Sequence, residues 1–410
     1  MLNGSRQATR WIVLAVVWLT LGVAYGLFFS FTIFFVPLIE EFHWSRGLTA
    51  GAFSLSALIQ GVLSPAIGML VDRIGPRRVI LVGVLLLSGA SILGSQIQSL
   101  WELYLITGVL GATGVVAVGW VPSGALLSGW FSRHRGGVMG LAFSGMGAGV
   151  LVVGPLAQWL IAQVGWRQAY LVLGVGTLLC LGPILWFGVA EASVPRRSRR
   201  TEVQAVAPTD GVGMRAALST RVFWGLFLAY FFTPLAVFPV FTHQVAFAVD
   251  AGFPRMFVAG IFGLMGFMSS VGRVAFGALS DRMGREPAAT LSFGCTAAGT
   301  GALILLDVWP HAGWLYAYAL LFGVGFGARG PIITAMASEV FAGRRFGAIY
   351  GVMNLGNGVG AAIGPWFGGV IHDLTGSYRL AFLTAMGFCA VAAACFWIVR
   401  WGPRPDGASS

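Results

Sequence analysis

Long apolar stretches alternate with short polar ones along the whole chain, which has 410 residues. A helix of about 20 apolar residues crosses about 30 Å of hydrocarbon and satisfies its own backbone hydrogen bonds there. Stretches of this length predict an all-α membrane protein with twelve transmembrane helices. The predicted helices cover residues 11–38, 47–70, 78–98, 101–129, 136–161, 168–190, 222–248, 256–280, 287–307, 312–338, 346–371 and 378–401.

Composition and charge agree with a membrane location. Hydrophobic residues make up 57% of the chain and charged residues 10%, whereas soluble proteins carry roughly 25% charged residues. All 25 basic residues are arginine, and 19 of them fall on one side of the predicted helices. Because positive residues concentrate on the cytoplasmic side, we expect both termini in the cytoplasm. The opposite side receives Arg46, Arg167, Arg255 and Arg379.

One motif occurs twice and divides the chain into related halves. Residues 68–75 and 277–284 both read G-x-x-x-D-R-x-G, and they begin 209 residues apart. The repeat predicts two six-helix bundles in the same orientation, at residues 1–190 and 222–410, joined by a cytoplasmic linker at 191–221. Parallel repeats of this size in a membrane protein indicate a transporter with its substrate site between the halves.

The doubled motif, on the loops after the second and eighth predicted helices, resembles the major facilitator superfamily. The run from Ser30 to Arg46 and the sequence Gly272-Arg273-x-x-x-Gly277 are similar to bacterial monocarboxylate transporter-like and oxalate/formate antiporter-like members. This resemblance implies a secondary active transporter of a small organic anion, a monocarboxylate in particular, in a bacterial plasma membrane. It also implies alternating access with proton symport or anion exchange, and an arginine at 273 that binds the substrate carboxylate. An efflux transporter of drugs or other small molecules is the alternative that the same fold leaves open.

Two departures from the related families bear on the substrate and on its coupling. Animal monocarboxylate transporters have an aspartate where this chain has Ser269, which leaves the route of proton coupling open. Oxalate exchangers have a lysine in the eleventh helix, where this chain offers Asn354 and Asn357. The missing lysine argues against a dicarboxylate.

Two arginines fall inside predicted helices, where a charge costs from about 3 to more than 10 kcal/mol. Arg273 lies eight residues before Asp281, which places it about 12 Å deeper along its helix. No Asp or Glu falls at a mid-helix position to neutralise it, and arginine binds carboxylates through two parallel hydrogen bonds. The substrate is therefore the predicted counter-ion, and the alternative is a structural arginine that hydrogen-bonds to the carbonyls of a broken helix. Arg329 precedes Pro331 in a Gly-rich stretch, so either a direct ligand or a structural or gating role fits it.

Several other polar residues are candidates for the transport cycle. Tyr25, Asn354 and Asn357 are candidate cavity-lining residues, although packing or interhelical fastening explains each of them equally well. His243 follows two prolines in its helix and is the candidate proton-coupling group, with a packing role as the alternative. Four charged residues at helix ends are predicted to latch one conformation, namely Asp72, Arg73, Asp281 and Arg282.

The sequence gives no sign of an enzyme. It has no G-x-S-x-G element, no phosphate-binding G-x-x-x-x-G-K-[ST] loop and no paired carboxylates within a helix. The four cysteines lie in apolar helices without metal-ligand spacing. We therefore expect no catalytic residues, no cofactor, no metal and no nucleic-acid partner. The expected partners are the lipid bilayer, the organic anion and, for a symporter, protons, with the protein acting as a monomer.

Overall fold

A computed structural model describes residues 2–131, 135–187, 214–341 and 346–401. This part of the chain is helical almost throughout, and we number its membrane crossings helix 1 to helix 12. In chain order they are helix 1 (Leu2–Phe29 and Phe31–Phe42), helix 2 (Arg46–Ile74), helix 3 (Pro76–Gly94), helix 4 (Leu100–Leu103, Tyr104–Gly111, Ala112–Val118 and Trp120–Ser128), helices 5 and 6 (Arg135–Phe187), helix 7 (Arg221–Asp250), helix 8 (Arg255–Met283), helix 9 (Arg285–Val308), helix 10 (Ala312–Val340), helix 11 (Phe346–Thr375) and helix 12 (Arg379–Trp401).

The predicted number of crossings is confirmed within the described residues. Nine described stretches are long and apolar enough to span a membrane, and one of these, Gly137–Trp186, contains two crossings. The two meet at Gly165, whose φ of 79° is a conformation that favours glycine. Helices 10 and 11 bring the total to twelve.

Short connections join successive helices at two opposite faces of the bundle. We call the face that carries the chain ends the terminal face. The opposite face, which we call the far face, carries the connections at residues 43–45, 95–99, 251–254, 309–311 and 376–378. Helix 1 ends at this far face with His43 in the left-handed conformation, at φ 54°.

Helix 4 is the most irregular crossing. Residues Tyr104–Gly111 form a π-helix, and Gly119 adopts an extended conformation with ψ −151° that separates Ala112–Val118 from Trp120–Ser128. π-Helical turns and breaks of this kind occur often at functional sites. The break at Gly119 sets the direction in which the next residue, Trp120, leaves the helix.

Glycine allows helices of both halves to pack closely around helix 5. A Cβ atom added at Gly149 would lie 1.8 Å from the carbonyl oxygen of Gly22 in helix 1. A Cβ atom added at Gly147 would lie 2.2 Å from the carbonyl oxygen of Gly266 in helix 8. Backbone contact of this kind replaces side-chain interdigitation in membrane helices. Helix 5 therefore packs directly against helix 1 of its own bundle and helix 8 of the other.

Helices 2 and 11 form the second contact between the two sets of six crossings. The Ser54 hydroxyl accepts a hydrogen bond of 3.1 Å from the backbone N–H of Trp366, and Gly61 approaches Gly358. The predicted linker at 191–221 falls largely outside the described residues, so its place between the halves stays a prediction. Its last part contains a short helix, Met214–Leu218.

Candidate functional site

Arg273 lies where the two sets of helices meet. Its Nη1 donates a hydrogen bond of 2.8 Å to the backbone carbonyl of Phe143 in helix 5. Its guanidinium carbon is 5.4 Å from the centre of the Trp120 ring of helix 4, within the range of a cation–π contact. The side chain of helix 8 therefore reaches into the first set of helices.

Trp120 and Phe143 form an aromatic wall beside the guanidinium group, and the sequence analysis did not predict it. Their ring centres are 4.1 Å apart, and Trp120 is about half exposed. The break at Gly119 is what presents the Trp120 ring to Arg273. The run Gly119-Trp120-Val121-Pro122 was the available signal, because glycine and proline so close together disturb a helix.

Tyr25 lies in the same region as Arg273. A Cβ atom added at Gly119 would be 3.0 Å from the Tyr25 hydroxyl, and Tyr25 and Arg273 interact electrostatically. The Tyr25 side chain is buried, and its hydroxyl makes no hydrogen bond within the described part of the chain. The hydroxyl is thus a polar group still available to a ligand.

Arg273 has no acidic partner among the described residues. An arginine has five N–H donors, and the protein contact described above occupies one of them, the bond to Phe143. The guanidinium group thus has a permanent charge and free N–H donors, and the Trp120 ring lies beside it. A carboxylate is the ligand that fits such a group best, because it accepts two parallel hydrogen bonds.

Arg329 lies near the same depth but points elsewhere. Helix 10 touches helix 8 at Gly327, where an added Cβ atom would be 3.2 Å from the Arg273 backbone nitrogen. The Arg329 side chain is 1% exposed and turns toward helix 9, where Nη2 donates to the Thr296 hydroxyl at 2.7 Å. Its guanidinium carbon stands 4.6 Å from the centre of the Phe293 ring. The structure therefore does not bring Arg329 and Arg273 together in one site.

The remaining contacts of Arg329 also lie within the second set of helices. Nε and Nη2 donate to the carbonyl of Gly325, one turn earlier in the same helix, at 3.2 and 3.1 Å. Nη1 is buried and has no hydrogen-bond partner among the described residues. In this conformation the contacts of Arg329 are those of a group that ties helix 10 to helix 9.

Asn354 and Asn357 are half-buried in helix 11. Neither amide makes a hydrogen bond within the described part of the chain. One turn after Asn354, Gly358 approaches Gly61 of helix 2, so this stretch of helix 11 lies against the first set of helices. Both amides are therefore unengaged polar groups near the boundary between the two sets.

His243 is fully buried and lies apart from Arg273. It precedes Asp250 at the far face by seven residues, about 10 Å, whereas Arg273 follows Arg255 at that face by 18 residues, about 27 Å. The His243 ring hydrogen-bonds to the Pro365 carbonyl at 2.9 Å and to the Tyr378 hydroxyl at 3.2 Å. It belongs to a polar network at the far face.

The four predicted latch residues are all exposed at helix ends of the terminal face. Asp281 pairs with Arg285 at 2.8 Å, and both residues belong to the second set of helices. Asp72 and Arg73 end helix 2, and Arg282 lies next to Asp281 in the last turn of helix 8.

Ion pairs between the two sets of helices lie at the far face, at residues that the sequence did not indicate as partners. Arg46 at the start of helix 2 pairs with Asp250 at the end of helix 7, at 2.5 Å. Arg255 at the start of helix 8 pairs with Glu40 of helix 1, also at 2.5 Å. Each of these residues is an ordinary charged residue near a helix end, so only the structure, which brings them close together, reveals that they pair.

Asp373 adds an unusual helix cap at the same place. Its carboxylate, at the end of helix 11, accepts hydrogen bonds from the backbone N–H groups of Arg46 and Gly47 at 2.9 and 2.8 Å. The first N–H groups of a helix have no partner within it, and the helix dipole favours a negative charge there. One set of helices thus caps a helix of the other and closes the far face of the bundle.

Comparison with known proteins identifies the family of this chain. The model of the Major Facilitator Superfamily matches residues 17–354 and 309–410. The chain belongs to this superfamily. It is therefore a multi-pass membrane protein and a secondary transporter rather than an enzyme, which confirms the predicted fold class and the predicted absence of catalysis.

The chain is similar in sequence to monocarboxylate transporters and similar in fold to a solved transporter structure. Monocarboxylate transporter 13 of Rattus norvegicus is 28% identical over 92% of this chain and 86% of its own length. Monocarboxylate transporter 3 of the same species is 29% identical over 95% and 79%. The fold is similar to a bacterial homologue of the human lysosomal transporter Spinster, in an inward-facing and unoccupied conformation. The TM-score is 0.74 at 16% identity, over 96% of this chain and 97% of the other.

The contacts of Arg329 predict a loss of stability when its partner is removed. Thr296→Val keeps the shape of the side chain but leaves Nη2 with only the Gly325 carbonyl, so the guanidinium group loses its shortest hydrogen bond. We expect the free energy of unfolding to fall by about 1–3 kcal/mol. Thermal unfolding of the purified protein measures this change.

Thr300→Val is the matched control. Thr300 is equally buried one turn later in helix 9, and its hydroxyl donates only to the Thr296 carbonyl. Its replacement should lower the melting temperature less. Equal melting temperatures for the two variants would mean that Thr296 does not hold Arg329.

Proposed function

We propose that this protein transports a small organic anion, a monocarboxylate, and that Arg273 binds the carboxylate. The observation that carries the proposal is the charge of Arg273, which lies between the two sets of helices with no acidic partner among the described residues. The relatives named as monocarboxylate transporters support the same substrate class.

The surroundings of Arg273 supply the other elements of an anion site. The Phe143 carbonyl and the Trp120 ring hold the guanidinium group, which leaves its other donors for the two oxygens of a carboxylate. The free hydroxyl of Tyr25 is a further donor, and Asn354 and Asn357 are candidate contacts for the rest of the substrate. Apolar walls around a few polar groups are typical of small-molecule sites.

The direction of Arg329 favours one carboxylate over two. A dicarboxylate would need a second cation facing the site, and the Arg329 guanidinium is engaged with Thr296 and Gly325 on the other side of helix 10. The contacts of Arg329 thus direct its charge toward helix 9. A single guanidinium group matches a single carboxylate.

Transport by this site requires that it open to each face of the membrane in turn. The far face is held closed by Arg46 with Asp250 and by Arg255 with Glu40, so substrate would exchange through the terminal face in this state. The exposed charges at Asp72 and Asp281, with their neighbouring arginines, would hold the halves in the opposite state. Proton symport or anion exchange would provide the driving force, with His243 as the candidate proton-coupling residue.

Uptake by proteoliposomes under an imposed pH gradient tests the substrate and the site together. We expect saturable uptake of labelled lactate, pyruvate or acetate. Arg273→Ala should abolish it and Arg273→Lys should raise the half-saturating concentration at least about tenfold. Charge-assisted hydrogen bonds contribute about 1.5–3 kcal/mol, which corresponds to a factor of this size.

The control for this experiment is Arg379→Ala, which removes an exposed arginine at the start of helix 12. Its uptake should equal that of the unaltered protein. Undiminished carboxylate uptake by Arg273→Ala would disprove the site. Uptake or export of organic cations alone would instead favour an efflux transporter of drugs.

The proposed orientation places the terminal face in the cytoplasm of a bacterial cell, because most arginines fall on that side. Single cysteines at exposed Ser219 and Gln98, on the terminal and far faces, test it once the four native cysteines are replaced by alanine. In intact cells, a membrane-impermeant maleimide should label the cysteine at position 98 only. Labelling at position 219 without permeabilisation would reverse the orientation.

A further inference from the structure

A chain of hydrogen bonds runs from the surface of the far face to a buried histidine. Arg46 Nη1 contacts the Asp250 carboxylate at 2.5 Å and donates to the Tyr378 hydroxyl at 2.8 Å. The same hydroxyl lies 3.2 Å from Nδ1 of His243, and Nε2 of His243 lies 2.9 Å from the Pro365 carbonyl. The chain links helix 2 of one half to helices 7 and 11 of the other, and to the connection between helices 11 and 12.

The partners of His243 determine where its proton sits. A carbonyl oxygen only accepts hydrogen bonds, so Nε2, which faces Pro365, carries a hydrogen. In a neutral ring Nδ1 is then an acceptor, and the Tyr378 hydroxyl donates to it. The Tyr378 oxygen meanwhile accepts from Arg46. Every hydrogen bond in the chain is satisfied when the imidazole is neutral.

We propose that protonation of His243 weakens this chain and favours opening of the far face. A proton on Nδ1 makes that nitrogen a donor, and the Tyr378 hydroxyl then has to turn its own hydrogen away. One oxygen would accept from two cations, the imidazolium of His243 and the guanidinium of Arg46. The imidazolium of His243 and the guanidinium of Arg46 would then compete for the Tyr378 oxygen, which weakens the contact between Arg46 and Tyr378 that joins the two halves.

Other charged and titratable groups lie near His243, and the test has to distinguish their response to pH from that of His243. Arg46, His372 and Asp373 act on His243 electrostatically, and the Tyr378 ring lies between the two histidines. On the side of helix 1, the Phe35 ring meets the His243 ring edge to face at 5.3 Å. His372 is half-buried, with its ring centre 4.3 Å from that of Tyr378, so it is a second histidine in contact with this chain of hydrogen bonds. His43, at the end of helix 1, lines the same surface cavity as Arg46 and His372.

The position of the histidine suits this role. His243 is fully buried behind Tyr378, whereas the Arg46–Asp250 pair is partly exposed at the far face. Under the proposed orientation that face is extracytoplasmic. A proton from outside therefore reaches this chain of hydrogen bonds before it reaches the substrate site. The proposal concerns the conformational equilibrium and is independent of which substrate Arg273 binds.

Distance measurements between spin labels on the two halves test the proposal without any substrate. Cysteines at exposed Gln96 and Val308 place one label on the far face of each half, with the native cysteines replaced by alanine. His243 is fully buried, and burial disfavours the charged imidazolium, so the pH range has to extend below that of an exposed histidine. As the pH falls from about 8 to about 4, the distance distribution should shift to longer values. His243→Gln, which does not titrate, should lose this shift.

Two further variants complete the experiment. His372→Gln, the matched control, should keep the pH-dependent shift of the unaltered protein. Tyr378→Phe keeps the ring and removes only the hydroxyl, so it should populate the longer distances at every pH. The proposal is wrong if His243→Gln or Tyr378→Phe retains the shift, if His372→Gln abolishes it, or if the unaltered protein does not respond to pH. Tyr378→Phe decides the question if His243→Gln does not fold.

Discussion

The exclusion of charge from hydrocarbon is the constraint on which the rest of this structure depends. A guanidinium group inside a membrane costs from about 3 to more than 10 kcal/mol unless the protein satisfies it. Arg329 is held by Thr296 and Gly325 within its own half. Arg273 instead reaches the Phe143 carbonyl of the other half and has no acidic partner among the described residues. Neither arginine has an acidic partner among the described residues, and Arg273 is the one of the two whose side chain reaches across the boundary between the two sets of helices.

The contacts that close the far face suit a state that has to open again. Partly exposed ion pairs such as Arg46–Asp250 contribute about 0–1 kcal/mol each, because water screens them and the side chains lose freedom. The cap that Asp373 places on helix 2 adds hydrogen bonds that water can replace when the face opens. Close glycine packing holds helices together through the membrane, while weaker polar contacts join the two sets of helices at the far face.

The sequence predicted the helices well and the directions of their side chains poorly. Hydrocarbon thickness fixes the length of each crossing, so apolar runs alone predicted twelve helices, and the cost of buried charge identified Arg273. Residue counts give the depth of Arg329 along its helix, but its direction depends on where helix 9 packs. Trp120 was missed because the break at Gly119 is a local backbone event. Arg46 and Asp250 are 204 residues apart, and no sequence pattern around either residue indicates that they pair.

The central claim is that Arg273 recognises a carboxylate, and the most direct test compares lactate with lactamide. The two molecules have nearly the same shape and differ in the charge that an arginine would bind. Equilibrium binding to the purified protein, measured by calorimetry, should detect lactate and not lactamide, and Arg273→Gln should remove the difference. Equal binding of the two molecules to the unaltered protein, or lactate binding that survives in Arg273→Gln, would contradict the account.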